Sequence, residues 1–225
     1  HTDGTGGAQA PSRIANVMTA PYDALSTQQP RLTGCRSIIT GAARGIGAEI
    51  ARTYRRHGAS VVLLDVNPDV KAVADELDAS SILVDLSDAE ATSAAVHQAI
   101  DHLGGIDVLV NNAGILRMAP LLDITVEDWD LTFAVNVRSM LVTTQVAGRA
   151  MVQQGSGSIV NMASMGGKVG GVNQAHYAAS KAAVISLTQV TAKELGPHGA
   201  RANCICPGYV LTEMGAATRT QGMVD

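Results

Sequence analysis

The sequence predicts an α/β fold, a single-domain doubly wound parallel sheet, and three observations carry that prediction. From Arg36 onward, short β-branched runs alternate with segments of helical spacing. The runs are apolar almost throughout, as strands covered on both faces are. The first of them leads directly into a glycine-rich turn that opens a helix. Strand–helix alternation with such strands implies right-handed βαβ units, and no repeat of solenoid length competes with that reading.

The elements follow in order. Residues 1–33 show no sustained period and are rich in Gly, Pro, Ser, Thr and Gln, so a flexible N-terminal extension is expected there, with one domain over 34–225. The opening HTDGTGGAQAP is polar and lacks the apolar stretch of a secretory signal. Strands are expected at RSIIT (36–40), SVVLLD (60–65), SILVD (81–85), DVLVN (107–111), GSIVNMAS (157–164) and RANCIC (201–206). In the first helix Ile46, Ile50 and Tyr54 recur every four residues, and Gly58 closes it.

Composition narrows the function classes. The chain of 225 residues holds one Trp, one Phe and four Tyr, so its core must be built from Val, Ile, Leu and Ala. A net charge of -4 with scattered basic residues argues against nucleic acid, whose phosphates need a concentrated basic stripe. No apolar run is long enough to span a bilayer. Three cysteines, Cys35, Cys204 and Cys206, are an odd number that suits a reducing compartment, and a cytoplasmic protein is expected. Cys204 and Cys206 alternate on a strand without a histidine cluster, which makes them core thiols, and no metal is expected.

The turn TGAARGIG (40–47) places glycines at 41, 45 and 47. One glycine turns the chain sharply, one admits a pyrophosphate close to the backbone, and one lets the helix pack on its strand. The helix start then offers free N–H groups and partial positive charge to the phosphates. SVVLLD ends in Asp65, close to the distance of about 20 residues expected for the acid that binds the adenosine ribose. A carboxylate there repels a 2′-phosphate and selects NAD over NADP. Arg44 is the conflicting signal, since a basic residue in this turn could meet that phosphate; its other reading is a solvated loop charge. Asp85 ends the third strand and could bond the adenine, with helix capping by Ser87 or Asp88 as the alternative role for this stretch.

HYAASKAAV (176–184) places Tyr177 four residues before Lys181, one turn apart on one helix face. A free phenol titrates near pH ~10 and is a poor proton acceptor at neutral pH. An ammonium about 4 Å away at an effective dielectric of about 20 is worth ~4 kcal/mol, roughly three pK units. The lysine is thus expected to make the tyrosine a usable acid/base.

In type, order and spacing, TGAARGIG, NNAG (111–114), Asn136, Ser164 and YAASK (177–181) resemble the short-chain dehydrogenase/reductase family over residues 31 to about 215. Its fold is the Rossmann type. The resemblance implies catalytic roles for Asn136, Ser164, Tyr177 and Lys181: Lys181 also holds the nicotinamide ribose, Ser164 bonds the substrate oxygen, and Asn136 holds a water linked to Lys181. A kinking or capping asparagine is the alternative at 136. Implied cofactor contacts are Gly41, Arg44, Gly45, Ile46, Gly47, Asp65, Asp85, Leu86, Asn112, Ala113, Gly114, Tyr177, Lys181, Pro207, Gly208, Val210 and Thr212. Implied substrate contacts are Ser164, Met165, Gln174 and Tyr177. Asn111 is read as structural, His176 as a ring packed at the pocket edge, and Ser139, Ser158 and Ser180 as serines outside the site.

The resemblance is nearest to bacterial polyol and secondary-alcohol dehydrogenases. It implies NAD-dependent interconversion of a secondary alcohol (a polyol or small diol) and its ketone, and a homotetramer built on helices near 125–154 and 175–196. In the family PGYVLTEM (207–214) is followed by a covering segment, a helix and a seventh strand, which the sequence to Asp225 is expected to lack. A reductase of the 3-oxoacyl-carrier-protein type is the alternative enzyme, and a non-catalytic dinucleotide sensor the alternative of another class. There is no G-x-S-x-G elbow, Walker A sequence or H-E-x-x-H.

Overall fold

Six parallel strands build one sheet in the order β3-β2-β1-β4-β5-β6. They are β1 (Arg36–Thr40), β2 (Ser60–Asp65), β3 (Ser80–Leu83), β4 (Val108–Asn111), β5 (Gly157–Met162) and β6 (Ala200–Ile205). The helices are α1 (Gly45–Arg56), α2 (Val70–Glu76), α3 (Ala89–Leu103), α4 (Val126–Phe133), α5 (Ser139–Gln154), α6 (Gly166–Val169), α7 (Ala175–Leu195) and α8 (Glu213–Arg219). A π-helical turn, Ala134–Arg138, joins α4 to α5. This computed structural model describes residues 30–219. No described helix is long and apolar enough to cross a membrane.

The chain divides between Pro30 and Arg31. Most of the extension expected over 1–33 lies outside the described residues, but its last residues belong with the sheet. The Leu32 N–H donates to the His57 carbonyl at 2.9 Å, just past α1. β1 and β2 run as their apolar runs predict. β3 starts one residue before SILVD and ends at Leu83, so Asp85 falls in the loop beyond it rather than at the strand end. β5 likewise ends at Met162, two residues short of Ser164.

Because side chains alternate along a strand, Ile38 and Ile39 feed opposite layers. Ile38, Val62, Leu64, Leu109 and Ile159 pack with Val96 and Ala99 of α3 and Val146, Ala147 and Met151 of α5. Ile39, Leu63 and Val110 pack with Ala48 and Ala51 of α1 and Val70 and Val73 of α2. The fully buried members of both layers are aliphatic, and Tyr54 of α1 packs against the edge of the second.

A buried polar chain runs from α5 across the sheet to α7, the helix that carries Tyr177. Thr143 Oγ1 donates to Asn111 Oδ1 at 2.7 Å, Asn111 Nδ2 to Asn161 Oδ1 at 2.9 Å, and Asn161 Nδ2 to Thr188 Oγ1 at 2.9 Å. Every link is satisfied, so the chain fixes the height of α7 on the sheet at no cost in orphaned polar atoms. Asn111 is structural, as its position at a strand end suggested. Cys204 and Cys206 are half-buried beside Met140, Ala163 and Val184.

Candidate active site

The strand order reverses between β1 and β4, and crevices form there at the carboxyl ends of the strands. A cleft of ≈ 1270 Å³ lies at that place and extends over β5 and β6. Of the residues expected at the site, all line it except Gly47 and Asn136, which lie beneath its floor.

At one end is the glycine turn. Gly41 and Gly45 have φ of +66° and +58°, in the region that favours glycine. A Cβ on Gly41 would lie 2.7 Å from the Ala113 Cα, and one on Gly47 only 2.1 Å from the Gly41 carbonyl oxygen. Gly47 is therefore the packing glycine that seats α1 against β1, not a surface that touches a ligand. Asn112 bridges the two loops by donating to the carbonyls of Thr40 at 3.0 Å and Gly41 at 2.9 Å. Thr40 Oγ1, which sequence reasoning missed, accepts from the Asn112 and Ala113 N–H groups at 3.0 Å. Arg44, the N-cap of α1, makes no side-chain bond to the helix start, so the first amides of α1 face the cleft without a capping side chain.

Next along the cleft is the end of β2. The Asp65 carboxylate accepts from the Ala43 N–H at 2.8 Å and the Asn67 N–H at 2.9 Å, which holds it against the turn. Asp85 accepts from the Ser87 N–H at 2.8 Å. The capping role in this stretch belongs to Asp88, which accepts from Glu90 and Ala91 at the start of α3. Arg44 is not simply a solvated charge: its guanidinium pairs with Glu213.

The chemistry-bearing groups converge over β4 and β5. Lys181 is 4% exposed. Its Nζ donates to the Met162 carbonyl at 2.7 Å and lies 5.7 Å from the centroid of the Tyr177 ring. A Cβ on Gly114 would meet both Lys181 Nζ and Asn136 Oδ1 at 3.2 Å, so these three residues crowd one point. The π-helical turn directs Asn136 inward, where Oδ1 accepts from the Ile115 N–H at 2.8 Å and Nδ2 donates to the Ile115 carbonyl and to Ser180 Oγ, both at 3.0 Å. Ser180, set aside in the sequence, is part of this network and donates to the Tyr177 carbonyl at 2.7 Å. Its spacing of three residues from Tyr177 was the available signal. Ser164 Oγ accepts from the Gly166 N–H at 3.0 Å, which leaves its O–H to point at Tyr177.

The electrostatics differ from the sequence expectation. Burial raises the Tyr177 hydroxyl above the usual phenol range, and the hydrogen bond from Ser164 offsets part of that rise. Burial pushes the Lys181 amine down to about 8. The Lys181 amine lies 5.7 Å from the centroid of the Tyr177 ring, and the phenol stays above its ordinary range. His176 also departs from expectation. It is fully buried rather than at the pocket edge, and neither ring nitrogen has a hydrogen-bond partner among the described residues.

The far end of the cleft is formed by Met165, Gln174 and the segment after β6. The Met165 N–H donates to the Pro207 carbonyl at 2.9 Å, tying the loop after β5 to the segment after β6. Val210 is 39% exposed at the mouth, and α8 follows from Glu213.

A family model, short chain dehydrogenase, matches residues 36–222, and the chain belongs to that family. It is 43% identical to the sorbitol dehydrogenase of Cereibacter sphaeroides, over 80% of this chain and 72% of that protein. It is 39% identical to the oxidoreductase UcpA of Escherichia coli K12, over 85% of this chain and 75% of that protein. Among solved structures it is similar to a protein of Beutenbergia cavernae described as an NAD(P)-dependent gluconate 5-dehydrogenase with NADP bound at low occupancy. Their TM-score is 0.81 at 40% identity, covering 84% of this chain and 78% of that one. The chain is an oxidoreductase of this family, which binds a nicotinamide dinucleotide. The uncapped start of α1, the glycine cradle and the size of the cleft fit such a group.

Proposed function

We propose that this protein is an NAD-dependent dehydrogenase that interconverts a secondary alcohol, a polyol or small diol, with its ketone. The observation that carries the reading is the convergence of Tyr177, Ser164, Lys181 and Asn136 beside the cleft, each anchored by a partner of its own. Tyr177 exchanges the proton of the substrate hydroxyl, and Ser164 steadies charge developing on that oxygen. Lys181 bonds a ribose hydroxyl, and Asn136 holds a water linked to Lys181. The pyrophosphate falls to the start of α1, with Gly41, Gly45 and Ile46 around it, and to Thr212 from above. The adenosine falls between Asp65, Asp85 and Leu86. Asn112, Ala113, Gly114, Pro207, Gly208 and Val210 surround the nicotinamide. When bound, that ring supplies hydride transfer and, oxidised, a positive charge near the phenol.

NAD is favoured over NADP because the Asp65 carboxylate is fixed in the cleft by two amides and cannot swing away from a 2′-phosphate. The polyol reading is supported by the sorbitol dehydrogenase relative, and Gln174 and Asn173 supply polar atoms to the substrate end. Met165 completes that wall. A cytoplasmic location fits three free thiols. A homotetramer through α4–α5 and α7 fits the exposed Val126, Leu141 and Val190 on those helices.

The test is kcat/KM for NAD and NADP with a panel of polyols, small diols and hydroxyacyl esters. NAD-preferring turnover with a polyol is expected. NADP preference with a hydroxyacyl ester would transfer the reading to a 3-oxoacyl-type reductase.

A further inference from the structure

The cleft carries two opposed signals at its adenosine end, the carboxylate of Asp65 and the guanidinium of Arg44, and the structure contains a third group that bears on both. Glu213, at the start of α8, pairs with Arg44 across the mouth of the cleft, and all three residues line it. The segment carrying Glu213 is seated over the glycine turn: a Cβ on Gly45 would meet the Thr212 methyl at 3.6 Å. On the proposed reading that the cleft takes NAD, we infer that Glu213 is a specificity-determining residue, which withdraws Arg44 from a 2′-phosphate and lowers the affinity for NADP.

The physical reasoning has two parts. Asp65 opposes a 2′-phosphate by like charge, because it is held by the Ala43 and Asn67 amides. Arg44 could neutralise that phosphate, since guanidinium and phosphate match in a forked hydrogen bond. With Glu213 on the same guanidinium, a phosphate has first to displace a carboxylate and then to share the space with it. NAD, with a bare 2′-hydroxyl, makes no such demand. Both partners are well exposed, with side chains 65% and 73% accessible, so the pair is a weak one and its effect on the equilibrium is ~2- to 5-fold. The larger share of the discrimination stays with Asp65. Glu213 thereby explains how a turn that carries an arginine remains compatible with a dehydrogenase selective for NAD, and it couples cofactor choice to the segment that covers the cleft.

The experiment measures dissociation constants of NADH and NADPH by nicotinamide fluorescence on the full chain, for wild type, Glu213→Gln, Asp65→Ser, Arg44→Ala and Arg44→Ala/Glu213→Gln. Glu213→Gln is expected to shift the ratio of NADH to NADPH affinity toward NADPH by ~2- to 5-fold. That shift should vanish in the Arg44→Ala background and shrink with added salt. Asp65→Ser should shift the ratio further. An unchanged ratio in Glu213→Gln, with a clear shift in Asp65→Ser, overturns the role of Glu213 and leaves the NAD reading standing. The same shift with Arg44 absent overturns it as well, since Glu213 would then act directly on the phosphate. A wild type that already prefers NADPH, or binds neither dinucleotide, overturns the reading of the cleft and the inference with it.

Discussion

The two ends of the cleft are built differently. At the dinucleotide end the loops are pinned to one another. Asn112 holds the Thr40 and Gly41 carbonyls, Thr40 holds the Asn112 and Ala113 amides, and Asp65 holds the Ala43 amide. Gly47 leaves no room for even a methyl group. At the proposed substrate end Val169 and Val172 are each 75% exposed and Leu211 is 81% exposed, and a backbone bond from the Met165 N–H to the Pro207 carbonyl links its loops. The difference teaches where each property of the enzyme is encoded. The end proposed to hold the dinucleotide is pinned and overdetermined, while the end proposed to choose the substrate is open and loosely tied. The proposed catalytic groups sit at the junction, on α7, the π-helical turn and the loop just past β5, and α7 is fixed to the rigid side by the Thr143–Asn111–Asn161–Thr188 chain.

Substitutions that break this contrast should differ in kind as well as in size. Ser164→Ala, at the junction, should lower kcat/KM by ~10²- to 10³-fold, the usual cost of one donor to a developing oxyanion, as steady-state kinetics would read. Gly47→Ala, at the pinned end, forces a Cβ to 2.1 Å from the Gly41 carbonyl oxygen. It should destabilise the fold by about 3 kcal/mol and weaken dinucleotide binding, as thermal unfolding and fluorescence titration would show.

Lys181 contributes in the opposite sense. Burial pushes its amine down to about 8, below the value near 10.4 of an unfolded chain. Between those values the unfolded state binds the extra proton, so stability rises with pH through that window, and below about pH 8 the buried charge costs stability. Lys181→Met should therefore abolish turnover yet raise stability at pH 7 by about 1 kcal/mol and flatten the rise toward pH 10. Urea unfolding at pH 7 and at pH 9.5 measures both effects. Val172→Ser, at the open end, should change stability by less than about 0.5 kcal/mol and show itself as a change in the KM of the alcohol.

The rigid end was also the more legible in the sequence. The glycines, Asp65 and NNAG are local patterns whose geometry follows from backbone freedom and strand ends, and β1 and β2 occupy the expected residues. What remained hidden depends on contacts between distant segments. The π-helical turn that aims Asn136 inward leaves no mark in a run such as AVNVR, and the Ser180 partnership appears only once that turn is made. Glu213 reaches Arg44 across most of the chain length. The burial of His176 follows from how α7 packs. The rise of the Tyr177 hydroxyl was hidden for the same reason: a four-residue spacing says that two side chains share a face, not how deeply the phenol is buried.

The central claim is that Tyr177 exchanges the substrate proton in a dehydrogenase reaction. The most direct test follows NADH formation from NAD and a polyol panel at saturating dinucleotide, in wild type and in Tyr177→Phe. The account predicts turnover in the wild type that falls by ~10²- to 10⁴-fold in the variant, with NADH still bound by both. Turnover that survives the substitution, or a wild type that binds NADH tightly and oxidises nothing, would contradict it.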